Sequence, residues 1–300
     1  MTVAGGESVL VPGHRACPGC GAILALKYAL NALGRNMIVH VATSCMEVSI
    51  MGGGVFPRGE YPLTVPSLHT AFETSGAVVS GMDVGLKALG KRQGVNLVAI
   101  AGDGGTADIG LQTLSGAAER GHDFIYICYD NEAYMNTGNQ RSGTTTLYAA
   151  TTTSPVGTNK RGEQHIPLRL RKDMPAIMAA HGVPYVATAS IAYPADLIKK
   201  VKKAADIRGP RYIHIHAPCP TGWGFPESKT VEMARLAVQT GSWALYEIQN
   251  GKLNLTLKLS QRKPVKEYLA SQRRFRHLTD AETSHIQELV DRMWAERFSQ

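Results

Sequence analysis

Two short apolar runs, each closed by a polar turn, constrain this chain more than any other feature. Val95-Asn96-Leu97-Val98-Ala99-Ile100-Ala101 ends in Gly102-Asp103-Gly104-Gly105, and Phe124-Ile125-Tyr126-Ile127-Cys128-Tyr129 ends in Asp130-Asn131-Glu132. Both runs are continuous and rich in branched or aromatic side chains, as in strands buried on both faces of a parallel sheet. One helix-length interval separates them. The two strands are therefore expected side by side, with Asp103 and Asn131 at the same carboxyl edge, where open α/β sheets bind ligands. Glycines let backbone amides approach a phosphate, and the next helix turns its positive end toward it. A carboxylate, an amide oxygen and phosphate oxygens together suit a hard Mg2+ ion. The two turns read as a diphosphate-and-metal site.

Five cysteines form a second constellation: Cys17, Cys20, Cys45, Cys128 and Cys219. Cys17-Pro18-Gly19-Cys20 is a tight turn that lets two thiolates converge. Cys45 follows the expected strand Met37 to Thr43, and Cys219 follows Tyr212-Ile213-His214-Ile215-His216, between two prolines. These positions bring four thiols to one sheet edge, near the diphosphate turn. Four converging thiolates suit a [4Fe–4S] cluster or a Zn2+ ion, although zinc modules usually draw their cysteines in pairs. Cys128 lies inside an apolar strand and reads as a small core residue.

Gly102-Asp103-Gly104, followed by Asp130-Asn131 one helix and one strand later, resembles the thiamine-diphosphate (TPP) motif. Glu132-Ala133-Tyr134-Met135-Asn136-Thr137-Gly138 resembles the β subunit of the 2-oxoacid:ferredoxin oxidoreductases, most closely the pyruvate type. The resemblance runs from about Gly13 to Leu278 and includes Pro218-Cys219-Pro220-Thr221-Gly222-Trp223. It implies the TPP-binding fold, with Asp103, Asn131 and the Ala133 carbonyl as Mg2+ ligands. Gly102, Gly104 and Gly105 become the diphosphate turn, and Cys17, Cys20, Cys45 and Cys219 become the ligands of a [4Fe–4S] cluster. Asn136 then lies near the reacting carbon and Val48 faces the substrate; apart from the resemblance, they read as a turn former and a core residue. The implied reaction is reversible, coenzyme A-dependent oxidative decarboxylation of pyruvate with electrons passed to ferredoxin. The glutamate that activates TPP is expected from an α subunit, with γ and δ subunits also implied. Glu47 and Glu73 fit better as local structure.

The order of expected elements is helical (Ile23 to Leu33), strand (Met37 to Thr43), helical (Ala71 to Leu89), strand, helical (Ile109 to Glu119) and strand. Then come a helix near Met174–His181, the strand Tyr185–Ala189, the helix Pro194–Ile207 and the strand before Cys219. Such alternation predicts an α/β fold, a parallel sheet with helices on both faces. Residues 1–240 are expected as the cofactor-binding α/β domain and 241–300 as a C-terminal extension, packed on that domain or on a partner. A hairpin is expected from Leu245 to Leu259 around Asn250-Gly251. Thr279-x-x-Glu282 is a capping box that opens a helix with an apolar stripe from Ile286 to Phe298. Gly138 to Lys172 is polar and aperiodic, and a loop that long is expected to close over the site or a partner.

An odd cysteine count, no leader-like N-terminus and no apolar stretch of membrane length point to a reducing cytoplasmic setting without disulfides. The net charge of +8 gathers at Lys199-Lys200, Lys202-Lys203, Arg169-x-Arg171-Lys172 and Arg273-Arg274-x-Arg276. The lysine cluster reads as a solvated helix face. A basic surface suits an acidic electron carrier, and no nucleic-acid module accompanies it.

Departures from the family concern the substrate. Ser44 stands where glycine is common, Gly224 replaces a usual arginine, and Met51-Gly52-Gly53-Gly54-Val55-Phe56-Pro57-Arg58-Gly59-Glu60 is unlike the usual pyruvate-type segment. Arg58 is a candidate second carboxylate contact, which keeps oxalate open beside pyruvate and branched 2-oxoacids. A zinc-stabilised scaffold without turnover is the reading from another class.

Overall fold

The computed structural model describes residues 8–51, 61–158, 164–165 and 168–298. Among these, eight strands form one sheet: β1 (Met37–Ala42), β2 (Ser67–Thr70), β3 (Asn96–Gly102), β4 (Phe124–Asp130), then β7 (Tyr185–Ser190), β8 (Pro210–His216), β9 (Tyr246–Gln249) and β10 (Lys252–Leu255). A small ribbon, β5 (Gly157–Thr158) with β6 (Gln164–His165), stands apart. The sheet order is β2-β1-β3-β4-β8-β7-β9-β10. It is parallel from β2 to β7, and β9 and β10 add to the edge antiparallel. The expected hairpin thus extends the same sheet.

Helices cover both faces. They are α1 (Gly21–Leu33), α2 (Ser75–Ala88), α3 (Leu111–Glu119), α4 (Met174–Ala180), α5 (Pro194–Asp206), α6 (Pro220–Trp223), α7 (Thr230–Gln239), α8 (Val265–Ala270) and α9 (Asp280–Phe298). Alternate strand residues divide between two cores, as the pleat requires. Val98, Ile100, Ile125 and Ile127 face α1 and α5, whereas Leu97, Ala99, Tyr126 and Cys128 face α2, α3 and α4. The small residues of α2 have a packing reason: a Cβ on Gly76 would lie 2.2 Å from the Thr113 carbonyl oxygen of α3. A third core lies under the C-terminal extension, built from Trp223, Trp243, Tyr268 and Phe275. The capping box forms as expected, Thr279 N–H donating to Glu282 Oε2 at 2.7 Å and Glu282 N–H to Thr279 Oγ1 at 3.3 Å.

One expectation about charge fails. Lys200 belongs to the lysine cluster read as a solvated face, yet it is 1% exposed. Its ammonium donates to Asp196 Oδ2, the Thr188 carbonyl and Thr256 Oγ1 at 2.7–2.8 Å, tying α5 to β7 and to the chain beyond β10. A buried ammonium with its donors satisfied acts as a bolt. Lys203 similarly holds Glu247 of β9 at 2.8 Å.

Topology fixes where ligands enter. The connection from β1 runs outward to β2, and that from β3 runs the other way to β4, so a crevice opens between their carboxyl ends. At the opposite end of this layer, Asp83 of α2 is fully buried and accepts from Lys87 Nζ and Arg92 Nε, each at 2.7 Å. Burial would raise its pKa, but Lys87, Arg92, the Asp123 N–H and His122 bring it down to about 2. A carboxyl whose folded pKa lies below its unfolded value stabilises above about pH 4, and that contribution is lost as pH falls toward 2. Asp83→Asn is therefore expected to cost about 3 kcal/mol at pH 7 in chemical denaturation. The gap to wild type should narrow below pH 4; a gap that persists at pH 2 would contradict the ion-pair explanation.

Candidate active site

The parallel register brings four chain segments to one edge: Thr43–Cys45 after β1, Gly102–Gly105 after β3, Asp130–Ala133 after β4 and Ala217–Cys219 after β8. A pocket between the first three is lined by Cys45, Gly102, Asp103, Gly104, Gly105, Asn131, Ala133 and Asn136. Asn136 stands exposed at its mouth. Phe72 and Tyr134 form an aromatic wall, stacked at 5.7 Å with 14° between their planes. Gly104 has an ordinary helical backbone (φ −63°), so its role is spatial: a Cβ there would lie 2.5 Å from the Tyr134 ring.

Asp103 is 1% exposed. Its Oδ2 accepts from Ser142 Oγ at 2.5 Å and from Thr144 Oγ1 at 3.0 Å, and its Oδ1 from the Asn131 N–H at 3.3 Å. These donors are neutral. Burial, and then the Asp130 carboxylate nearby, push the Asp103 carboxyl well above the usual range. Asp130 behaves oppositely. Burial acts on it too, but Arg171 and His214, which donate at 2.7 Å each, hold it well below that range.

The Asn131 amide oxygen lies 2.9 Å from the Ala133 carbonyl oxygen and 3.0 Å from Asp103 Oδ1. The Asn131 amide thus reaches both the Ala133 carbonyl and the Asp103 carboxylate, neither of which can donate to its oxygen. Either the amide turns over to donate, or a cation draws the oxygens together. Neighbouring ligands on an Mg2+ octahedron, with metal–oxygen distances of about 2.1 Å, are spaced by about 2.9 Å. The donor set fits that ion.

The thiols cluster beside this pocket. Cys20, Cys219 and Cys17 each oppose ionisation of Cys45, as Cys20 and Cys17 do for Cys219, so the four are electrostatic neighbours. Burial is the larger cause, pushing Cys45 up to about 12 and Cys219 up to about 11. Cys20 begins α1 and Cys219 begins α6, where the Gly222 N–H donates to its sulfur at 3.3 Å. The Cys17–Cys20 turn is fastened to the Cys219 segment by the Gly21 N–H on the Pro218 carbonyl at 3.2 Å. Among the described residues, no three His, Cys, Asp or Glu side chains close tightly enough to hold a single metal ion. One exposed and three partly buried thiols, two of them at helix starts, fit a larger cationic cluster, which would supply the missing positive charge.

Other positions fall differently. Cys128 is fully buried in the core. Val48 is 42% exposed on the wide turn after Cys45 and does not line the pocket, so it is not core. Glu47 and Glu73 are absent from the lining as well. Arg58 lies outside the described residues. The aperiodic loop after Gly138 reaches the site at both ends: Ser142, Thr144 and Thr146 bind Asp103, Asp130 and Glu132, and Arg171 and Lys172 pair with Asp130 and Asp108. A larger, mostly apolar cavity of about 300 Å³ lies beneath α9, floored by His214, His216 and Trp243. It shares no lining residue with the pocket at the sheet edge, although Glu132 and Arg171 line it.

Comparison with known proteins decides the family. Residues 54–215 match the thiamine pyrophosphate enzyme C-terminal TPP binding domain. Pyruvate synthase subunit PorB of Methanothermobacter marburgensis is 58% identical over 285 residues, covering 95% of this chain and 96% of that one. The chain belongs to the β-subunit family of the 2-oxoacid:ferredoxin oxidoreductases. Ketoisovalerate oxidoreductase subunit VorB of Pyrococcus furiosus is 48% identical over 294 residues, covering 96% and 92%. The fold matches that of a 2-oxoglutarate:ferredoxin oxidoreductase from Magnetococcus marinus, with a TM-score of 0.54, 20% identity and 90% coverage of each chain.

Gly104→Ala tests the pocket's geometry. The methyl must displace Tyr134, so TPP affinity of the assembled enzyme should fall at least about tenfold, with a stability loss of about 1–3 kcal/mol. Unchanged affinity by calorimetry would show that the turn is not the diphosphate cradle.

Proposed function

We propose that this chain is the TPP- and cluster-bearing β subunit of a pyruvate:ferredoxin oxidoreductase, active only with its partner subunits. The observation that carries the reading is that Asp103, Asn131 and Ala133 line one pocket with the glycine turn and with Cys45. Asp103, Asn131 and Ala133 would hold Mg2+, and Gly102, Gly104 and Gly105 would admit the diphosphate. Bound TPP supplies a nucleophilic carbon and an electron sink for a decarboxylated 2-oxoacid. Cys17, Cys20, Cys45 and Cys219 would hold a [4Fe–4S] cluster at the pocket wall, within reach of those electrons. Asn136 at the mouth presents an amide that can hydrogen-bond the substrate carbonyl or carboxylate. Phe72 and Tyr134 exclude water from one side.

Three carboxylates near the pocket are otherwise engaged. Asp108 pairs with Lys172 and accepts from Tyr134, Asp130 pairs with Arg171, and Glu132 with Arg274. None of these three is free to activate the cofactor ring, which accords with a glutamate supplied across an interface by an α subunit. Coenzyme A as acyl acceptor, ferredoxin as electron acceptor and γ and δ subunits complete the proposal. No helix among the described residues is long and apolar enough to cross a membrane.

Relatives named for pyruvate and for ketoisovalerate overlap in identity, at 46–58% and 48–49%. A substrate panel is therefore the test. The reconstituted complex is expected to reduce ferredoxin with pyruvate and coenzyme A, and less efficiently with 2-oxoisovalerate or oxalate. The chain without its partners should show no turnover. Turnover by the isolated chain, or a complex that prefers a branched 2-oxoacid or oxalate, would overturn the corresponding part.

A further inference from the structure

We propose that Glu132 is the positioning residue of the metal-holding turn and that Arg274, from the C-terminal segment, is its anchor. This rests on the reading of Asp103, Asn131 and Ala133 as cation ligands. Glu132 stands between two of them and has a left-handed backbone, φ +63°. A residue with a long side chain adopts that conformation only where its surroundings over-determine it. Across this turn the Asn131 side-chain amide lies 2.9 Å from the Ala133 carbonyl.

Every polar atom of Glu132 is held. Its N–H donates to Asp130 Oδ1 at 2.9 Å, and its carbonyl accepts from Thr145 Oγ1 at 2.6 Å. Its carboxylate, 2% exposed, accepts from Thr146 Oγ1 at 2.8 Å and pairs with Arg274 at 2.7 Å and Arg171 at 3.5 Å. Arg274 is itself buried and aimed, its Nε donating to Gln272 Oε1 at 2.8 Å. Its guanidinium lies 3.8 Å above the Trp223 ring, whose indole N–H donates to the Asn131 carbonyl at 2.7 Å. One arginine thus fixes the turn from both sides, directly through Glu132 and through Trp223 on Asn131. The extension that carries Arg274 is thereby part of the cation site without touching the cation. Outer partners of this kind orient ligands and tune their affinity.

The test is the Mg2+ concentration that half-saturates TPP binding to the reconstituted complex, measured by calorimetry without turnover. Glu132→Gln and Arg274→Gln are each expected to raise it about 10- to 100-fold. Thr146→Val removes one hydroxyl from the carboxylate and leaves the ion pair, so it keeps the test open should the charge variants not fold. It should give a smaller rise in the same direction. Variants that melt earlier but keep the wild-type Mg2+ requirement would assign the pair to stability alone and overturn the proposal, as would an unchanged requirement in Thr146→Val. A wild-type complex that binds TPP without any divalent cation, or not at all, would instead overturn the underlying reading.

Discussion

A buried carboxylate with no cationic partner among the described residues governs this site. Asp103 is enclosed by hydroxyls and a backbone amide, with the Asn131 side-chain amide 3.0 Å away. Burying such a group carries a large desolvation penalty unless charge arrives to offset it. Nearby Asp130 meets the same burial with Arg171 and His214. The contrast between these carboxylates separates an ion network from an uncompensated buried carboxyl, the feature on which the proposed cation site rests.

The surrounding architecture is layered outward from the sheet edge. Strands β3 and β4 deliver the two turns, the loop after Gly138 returns hydroxyls and bases to them, and the C-terminal segment closes over Trp223. The thiols share this edge because β1 and β8 are parallel to β3 and β4. The proposed placing of an electron acceptor beside an electron-releasing carbon would then be a matter of topology: Cys45 lines the pocket at the sheet edge and neighbours the other three sulfurs.

Local pattern made the strands, the glycine turns, the cysteine spacing and the capping box readable, because each depends on residues a few positions apart. What escaped depends on distant pairing. Nothing near Arg274 announces Glu132, and nothing near Lys200 announces Thr256, so Lys200 reads as solvated charge and Arg274 as part of a basic surface until the fold brings their acceptors to them. Val48, apart from the resemblance, reads as core because its own side chain is apolar, yet the wide turn after Cys45 turns it outward. Strand β2 was missed because its sequence, Ser-Leu-His-Thr, carries little hydrophobic signal and is held by pairing with β1. Helix α7 lacks a side-chain cap and was missed for a similar reason.

The most direct measurement replaces Mg2+ with Mn2+ in the anaerobic complex and records electron–nuclear double resonance with TPP bound. If Asp103, Asn131 and Ala133 jointly seat a cation against the diphosphate, phosphorus coupling to Mn2+ appears in wild type and vanishes in Asp103→Asn. Phosphorus coupling that survives in Asp103→Asn, or Mn2+ that binds without sensing the diphosphate, would contradict it.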